Sequence, residues 1–137
     1  MKILAIDFGM KRIGFAVGNT IIKSATPIEQ LERKTLEFDL EHILRIIDQY
    51  DIQHIIMGLP LNMDGTPGKI AGAVENFRNY LLKRIPDGID IELVDERLSS
   101  FEAEELLKPV HGDFRKRKKV LDSVSAMMLL NDYLEKT

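Results

Sequence analysis

Four acidic residues end or begin segments that look buried, and their type suits one chemistry. Asp7 closes the run Ile3-Leu4-Ala5-Ile6, aliphatic enough to be a strand covered on both faces. Asp95 and Glu96 follow another segment that reads as a strand, Ile89 to Val94. Asp122 lies near the start of a helical segment, in one row with Ala126, Leu129 and Tyr133, where the helix dipole favours an anion. If the two strands are parallel, Asp7 and the Asp95–Glu96 corner share one edge of the sheet. Carboxylates gathered there repel one another unless divalent cations neutralise them, and all-oxygen ligands suit Mg²⁺ or Mn²⁺. Two such ions about 4 Å apart can clamp an in-line phosphodiester displacement. Strand alternation lets at most one of Asp95 and Glu96 face a given site, and the sequence leaves open which. Each carboxylate alone also has an ordinary explanation. Asp7 can cap a turn or pair with Lys11 or Arg12, Asp95 and Glu96 can bridge to Arg97, and Asp122 can simply partner the dipole.

Cations accompany the carboxylates. Net charge is −3, which argues against a general nucleic-acid coat, yet Arg115-Lys116-Arg117-Lys118-Lys119 is a run of five cations. Arg115, Lys116 and Lys118 are candidate phosphate contacts, and the alternative is a solvated helix start. Arg12 and Arg97 are further candidates for substrate binding, although each has carboxylates close by in sequence. The segment Leu59 to Gly68 holds two prolines and two glycines, the chemistry of a shaped loop. Asn62 and the loop's backbone N–H groups either border a substrate groove or serve only the strand-to-helix connection.

The elements that must position these residues are legible from periodicity. Ile13 to Val17 resumes the first apolar run across a Gly-containing turn, and Thr20 to Glu29 reads as a third strand, giving an antiparallel meander. Leu31 to Tyr50 changes to helical spacing, with Leu36, Leu40, Ile43, Leu44 and Ile47 on one stripe and Glu37, Asp39, Glu41 and Arg45 between them. His54 to Gly58 is a buried strand, Ile70 to Lys83 a second helix, and Ile89 to Val94 the fifth strand. Ser99 with Glu102 suggests a capped short helix over Phe101 to Leu107, and Lys118 to Glu135 a final helix. Strands separated by helices should run parallel, so the expectation is an α/β fold. Its mixed five-stranded sheet joins an antiparallel three-strand meander to two parallel strands, flanked by helices. Ligands on such sheets favour the carboxyl ends of parallel strands beside the switch in strand order.

Composition limits the alternatives. At 137 residues one domain spanning 1–137 is expected, large enough for a real core. The absence of cysteine excludes disulfides and thiolate zinc sites, and the three histidines show no metal-ligand spacing. Charges at Asp7, Lys11 and Arg12 interrupt the first apolar stretch, so neither a secretory signal nor a membrane span is expected. These features point to a cytoplasmic protein.

The opening DFGMKRIGFAVGN, the loop GLPLNMDGTPG, the segment DERLSSFEAEELL and the tail RKRKKVLDSVSAMMLLNDYL together resemble the YqgF family, also described as RuvX-type Holliday-junction resolvases or pre-16S rRNA nucleases. The match runs from Met1 to about Leu134. It implies a ribonuclease H-like fold, Mg²⁺-dependent phosphodiester hydrolysis and maturation of the 5′ end of pre-16S rRNA. The family's acidic positions fall on Asp7, Glu96 and Asp122, as catalytic and metal-binding residues. Ser125-Ala126 departs from the two adjacent alanines more usual after that last Asp. Other readings stay open: a junction resolvase acting on branched DNA, a non-catalytic nucleic-acid binding module, or an actin-like phosphotransferase, for which the chain is short. A resolvase of a two-fold junction should be a homodimer, whereas an RNA-processing nuclease can be a monomer.

Overall fold

The computed structural model describes residues 1–60, 68, 70–96 and 114–136, and for residue 96 and residues 114–122 the backbone alone. In chain order the elements are β1 (Lys2–Phe8), β2 (Arg12–Asn19), β3 (Ser24–Glu32), α1 (Leu36–Gln49), β4 (His54–Pro60), α2 (Ala71–Leu82), β5 (Ile91–Glu96) and α3 (Phe114–Glu135). They form a five-stranded sheet in the order β3-β2-β1-β4-β5. The β1–β2 and β2–β3 pairs are antiparallel, whereas β1–β4 and β4–β5 are parallel. The meander plus two parallel strands is thus the observed topology, and strand order reverses at β1.

Strand alternation sorts the core into two layers. On one face Leu4, Ile6 and Phe8 of β1 pack with Leu40, Ile43 and Ile47 of α1 and with Val74, Phe77 and Leu81 of α2. On the other, Ile3 and Ala5 pack with Ala16, Ile56 and the α3 residues Ala126, Leu129, Leu130 and Leu134. Small residues bring α3 close to the sheet. A Cβ at Gly18 would lie 2.8 Å from Leu130 Cδ2 and 2.8 Å from the Ser24 carbonyl oxygen, so only glycine fits there.

Several boundaries differ from the periodicity. The third strand begins at Ser24 rather than Thr20. Asn19 Oδ1 accepts the Ile21 N–H at 2.7 Å and Lys23 takes a left-handed φ of 51°, so residues 20–23 turn and leave Ile21 and Ile22 exposed. That strand then continues to Glu32, because Leu31 and Glu32 pair with Ile13 and Arg12. The helix start moves accordingly to Leu36, capped by Thr35 Oγ1, which accepts the Phe38 N–H at 3.1 Å. At its other end Asp51 adopts φ 53° and the Ile52 N–H bonds the Ile47 carbonyl, which closes α1. The last helix begins at Phe114, so the cationic run lies within it. The short helix expected over Phe101 to Leu107 lies outside the described residues.

Candidate active site

Asp7 is the penultimate residue of β1, at the edge where the parallel strands end. It shares the alternation of Ile3 and Ala5, so its half-buried side chain lies on the α3 face of the sheet. Its antiparallel partner on β2 is Gly14, and on the β4 side Gly58 follows Met57, the partner of Ile6. Neither flanking strand position therefore puts a side chain beside this carboxylate. Nothing in the spacing of the sequence draws attention to Gly14 and Gly58. Their role becomes legible only once the strand register is known.

β5 reaches the same edge. Asp95 and Glu96 belong to the strand itself, paired with Leu59 and Pro60 of β4. Ile91 and Leu93 pack with the α1–α2 layer, whereas Val94 packs with the α3 layer and Glu92 Oε1 accepts the Tyr133 hydroxyl of α3 at 3.1 Å. Position 96 has the parity of 92 and 94, the face of Asp7, and Asp95 has the opposite parity and is exposed. Only β4 separates β1 from β5, so the two strands run about 10 Å apart.

α3 is fastened at both ends of its described packing. Its 22 residues cross β1, β2 and β3. Near the carboxyl edge of β1, the buried Ser123 Oγ accepts the Phe15 N–H at 3.1 Å. That hydrogen bond falls where the β2–β3 register slips: from Ile13 to Phe15 the partners move from Leu31 to Ile28, so β3 carries the extra residue of a bulge. Phe15 is the neighbour of Gly14, the partner of Asp7, so the anchor carries the backbone of Asp122 to the neighbourhood of Asp7. At the opposite edge the Tyr133 ring stacks on His54, 6.1 Å between centroids. Burial, and then its hydrogen bond to Glu92, raise the Tyr133 pKa above that of an ordinary phenol. Periodicity places Asp122 on a core-facing row, but it gives no sign of Ser123 as the anchor among the apolar residues.

Arg12 opens β2 opposite Glu32 and has the parity of Gly14 and Ala16, which puts it on the Asp7 face. Gly68 lies at the end of β4, its N–H donating to the Pro60 carbonyl at 2.9 Å. Asn62 and Arg97 lie outside the described residues. Arg115, Lys116 and Lys118 occupy the first turns of α3, of which the backbone alone is described. Among the described residues no three His, Asp or Glu side chains gather into a metal-binding group. Of the three acidic positions, the structure thus describes the Asp7 carboxylate and the backbone of residues 96 and 122. All three are oxygen-donor residue types, a set that fits Mg²⁺ or Mn²⁺ and not a thiophilic metal.

The family model of RuvX, described as Holliday junction resolvase, matches residues 1–136. The chain belongs to the RuvX family. Curated proteins named "Putative pre-16S rRNA nuclease" bear this out over nearly full length. The one from Halothermothrix orenii is 40% identical over 134 residues, covering 98% of this chain and 94% of that protein. The one from Carboxydothermus hydrogenoformans is 41% identical over 136 residues, covering 98% and 96%. Among solved structures, Thermus thermophilus RuvC in complex with a Holliday junction substrate aligns with 99% of this chain and 94% of its own, at TM-score 0.62 and 12% identity. At that identity the likeness concerns fold, and the fold of this RuvX-family chain is ribonuclease H-like, as its motifs implied. Among the described residues no helix is long and apolar enough to cross a membrane.

Proposed function

We propose that the chain is a divalent-metal-dependent nuclease that hydrolyses phosphodiester bonds of structured nucleic acid, and that its substrate is the 5′ end of pre-16S rRNA, in the cytoplasm. One observation carries the reading. Asp7 lies near the end of a central strand between two glycine positions, on the face to which β5 parity assigns residue 96 and to which the Ser123 anchor brings residue 122. In this reading Asp7, Glu96 and Asp122 hold the metal, and the parity of β5 favours Glu96 over Asp95. Bound there, Mg²⁺ or Mn²⁺ supplies charge neutralisation and polarises the scissile phosphate. The chain's own part is to fix the carboxylates, admit the phosphate beside Gly14 and Gly58, and hold the backbone with cations. Arg12 shares the face, with Arg97 and Asn62 as further contacts. The cationic run of α3 supports this role, because five positive charges at a helix N-terminus oppose the dipole and are poorly explained by helix stability. Phosphate ligands offset that cost.

The names of the curated relatives favour pre-16S rRNA, whereas the description of the family favours a Holliday junction. Cleavage of a pre-16S 5′ fragment and of a four-way DNA junction, assayed side by side, separates them. Asp7→Asn and Asp122→Asn should each lower Mg²⁺-dependent cleavage roughly a thousandfold while leaving binding nearly intact. Equal cleavage by wild type and both variants defeats the proposal. Neutralising Arg115, Lys116 and Lys118 should flatten the salt dependence of binding, by about one unit of slope for each phosphate that no longer meets a cation. An unchanged slope removes the run from the interface.

A further inference from the structure

Among the described residues one charged side chain is fully buried, and the partner that it holds grips the turn that follows Asp7. Asp39 is fully buried in α1. Its Oδ2 accepts the Arg33 Nε–H at 3.0 Å and its Oδ1 accepts the Lys34 N–H at 3.1 Å, so both oxygens are committed. The periodicity of the sequence counts Asp39 among the polar residues between the buried positions of the helix, and the ion pair corrects that.

Arg33 is held on three further sides. Its guanidinium lies over the Phe8 ring, 4.5 Å from the centroid, with the Phe77 ring at 5.7 Å. Its backbone N–H donates to the Lys11 carbonyl at 2.9 Å. Its Nη1 points at the carbonyls of Gly9 and Met10, at 3.4 and 3.5 Å. Three successive carbonyls of the β1–β2 turn thus converge on one residue. The turn itself is tight, since a Cβ on Gly9 would fall 2.5 Å from the Arg12 carbonyl oxygen.

Stability alone is a poor reason for this arrangement. A buried ion pair rarely outperforms apolar side chains of similar volume, and its best-attested use is to specify one conformation. A planar fork anchored by a buried carboxylate can define where the Gly9 and Met10 carbonyls sit, which packing alone does loosely. We infer that Arg33, locked by Asp39, is a positioning residue that fixes the β1–β2 turn and through it the carboxylate of Asp7. The inference rests on the reading of Asp7 as a metal ligand, but its structural half can be tested without it.

Three variants and two readouts decide the matter. Arg33→Lys keeps the charge and loses the fork. Asp39→Asn frees the guanidinium. The double variant Arg33→Met/Asp39→Leu replaces the pair with apolar volume and should restore thermal stability if either single variant folds poorly. Backbone amide order parameters of Gly9, Met10 and Lys11, measured without metal, should fall from about 0.85 toward 0.6 in all three. Mn²⁺ affinity, followed by loss of the free-ion paramagnetic signal, should weaken roughly tenfold, the usual cost of removing an outer support of a metal ligand. The double variant is the sharpest case, because a merely structural pair predicts normal Mn²⁺ binding once stability returns. Unchanged order parameters in the turn, or full Mn²⁺ affinity in a double variant that has lost the pair, overturns the inference. Failure of wild type to bind Mn²⁺ instead overturns the metal reading, and the order parameters alone then judge the positioning.

Discussion

The two faces of the sheet are built from different materials. Under α1 and α2 the layer is thick, made of Leu4, Ile6, Phe8, Ile43, Ile47, Phe77 and Leu81. Under α3 the sheet sets Ala5, Ala16 and Gly18 beside Ile3 and Ile56, and the helix sets Ser123, Ser125 and Ala126 beside Leu129, Leu130 and Leu134. Large side chains bury more apolar area, so the thick face supplies more of the stability. Small ones let a helix approach closely and leave polar groups within reach of the sheet backbone. The single hydrogen bond from the Phe15 N–H to Ser123 Oγ would be impossible across a layer of leucines. The candidate site belongs to the thin face, and the scaffold that resists unfolding belongs to the other.

That division can be broken by mutation. Ile43→Ala empties a fully buried position in the middle of the thick layer and should cost about 2–5 kcal/mol of stability. Because Ile43 packs in the layer on the face away from Asp7, cleavage measured well below the melting temperature should stay close to wild type. Denaturant titration and initial rates on the same preparation check both halves. A large loss of rate at full folding would mean that the two layers are not separable.

Ser123→Ala attacks the thin layer and should behave in the opposite way. It leaves the buried Phe15 N–H without its acceptor, a cost of about 1–3 kcal/mol, smaller than for Ile43→Ala. The rate should fall by more than tenfold if Asp7 and Asp122 act together as proposed, since the anchor fixes the backbone next to Asp122 and small misplacements of reacting groups are expensive. Ser123→Thr, which keeps the hydroxyl, should recover much of it. If the two alanine variants lose activity in proportion to their stability, the contrast between faces has no functional meaning.

The thick face and the sheet are easier to read from sequence than the thin one, for a physical reason. Runs such as Ile3 to Ile6 and stripes such as Leu40–Ile43–Ile47 carry a period that any large apolar side chain reinforces, so the meander, the two parallel strands and the helices α1 and α2 follow. Close approach of backbones is carried by glycine, alanine and serine, which leave almost no periodic signal. Gly14, Gly58 and Ser123 are therefore silent in the sequence, although they shape the surroundings of Asp7. The choice between Asp95 and Glu96 is also closed to sequence. It depends on whether the strand ends at Val94 or runs on to Glu96, and the β-pairing with Leu59 and Pro60 shows only that it runs on. Asp39 reads as a surface residue because a helical wheel registers charge but cannot register a partner arriving from the segment before the helix.

The smallest expected effect lies on the thick face, at His42 of α1. Its ring sits 5.8 Å from that of Phe15, half-buried, with Asp39, Glu29 and Arg45 as its charged neighbours. Burial first, and then the positive charge of Arg45, lower its pKa below the ordinary value of about 6.5, against the opposing pull of Asp39 and Glu29. The unfolded chain then binds the proton more readily than the folded one. The stability that His42 contributes is therefore complete above about pH 6.5 and declines as pH falls from there through the lowered folded value. Between neutrality and mild acid the melting temperature should drop by about a degree or two more in wild type than in His42→Gln, which cannot titrate. Glu37, whose pKa is lowered by its hydrogen bond to Arg84 at 2.8 Å, titrates further into acid and is fully exposed, so it should not obscure the comparison. Because His42 packs on the layer away from Asp7, the pH dependence of cleavage should be the same in both proteins. A difference in that profile would mean that the thick face reports to the carboxylate edge after all.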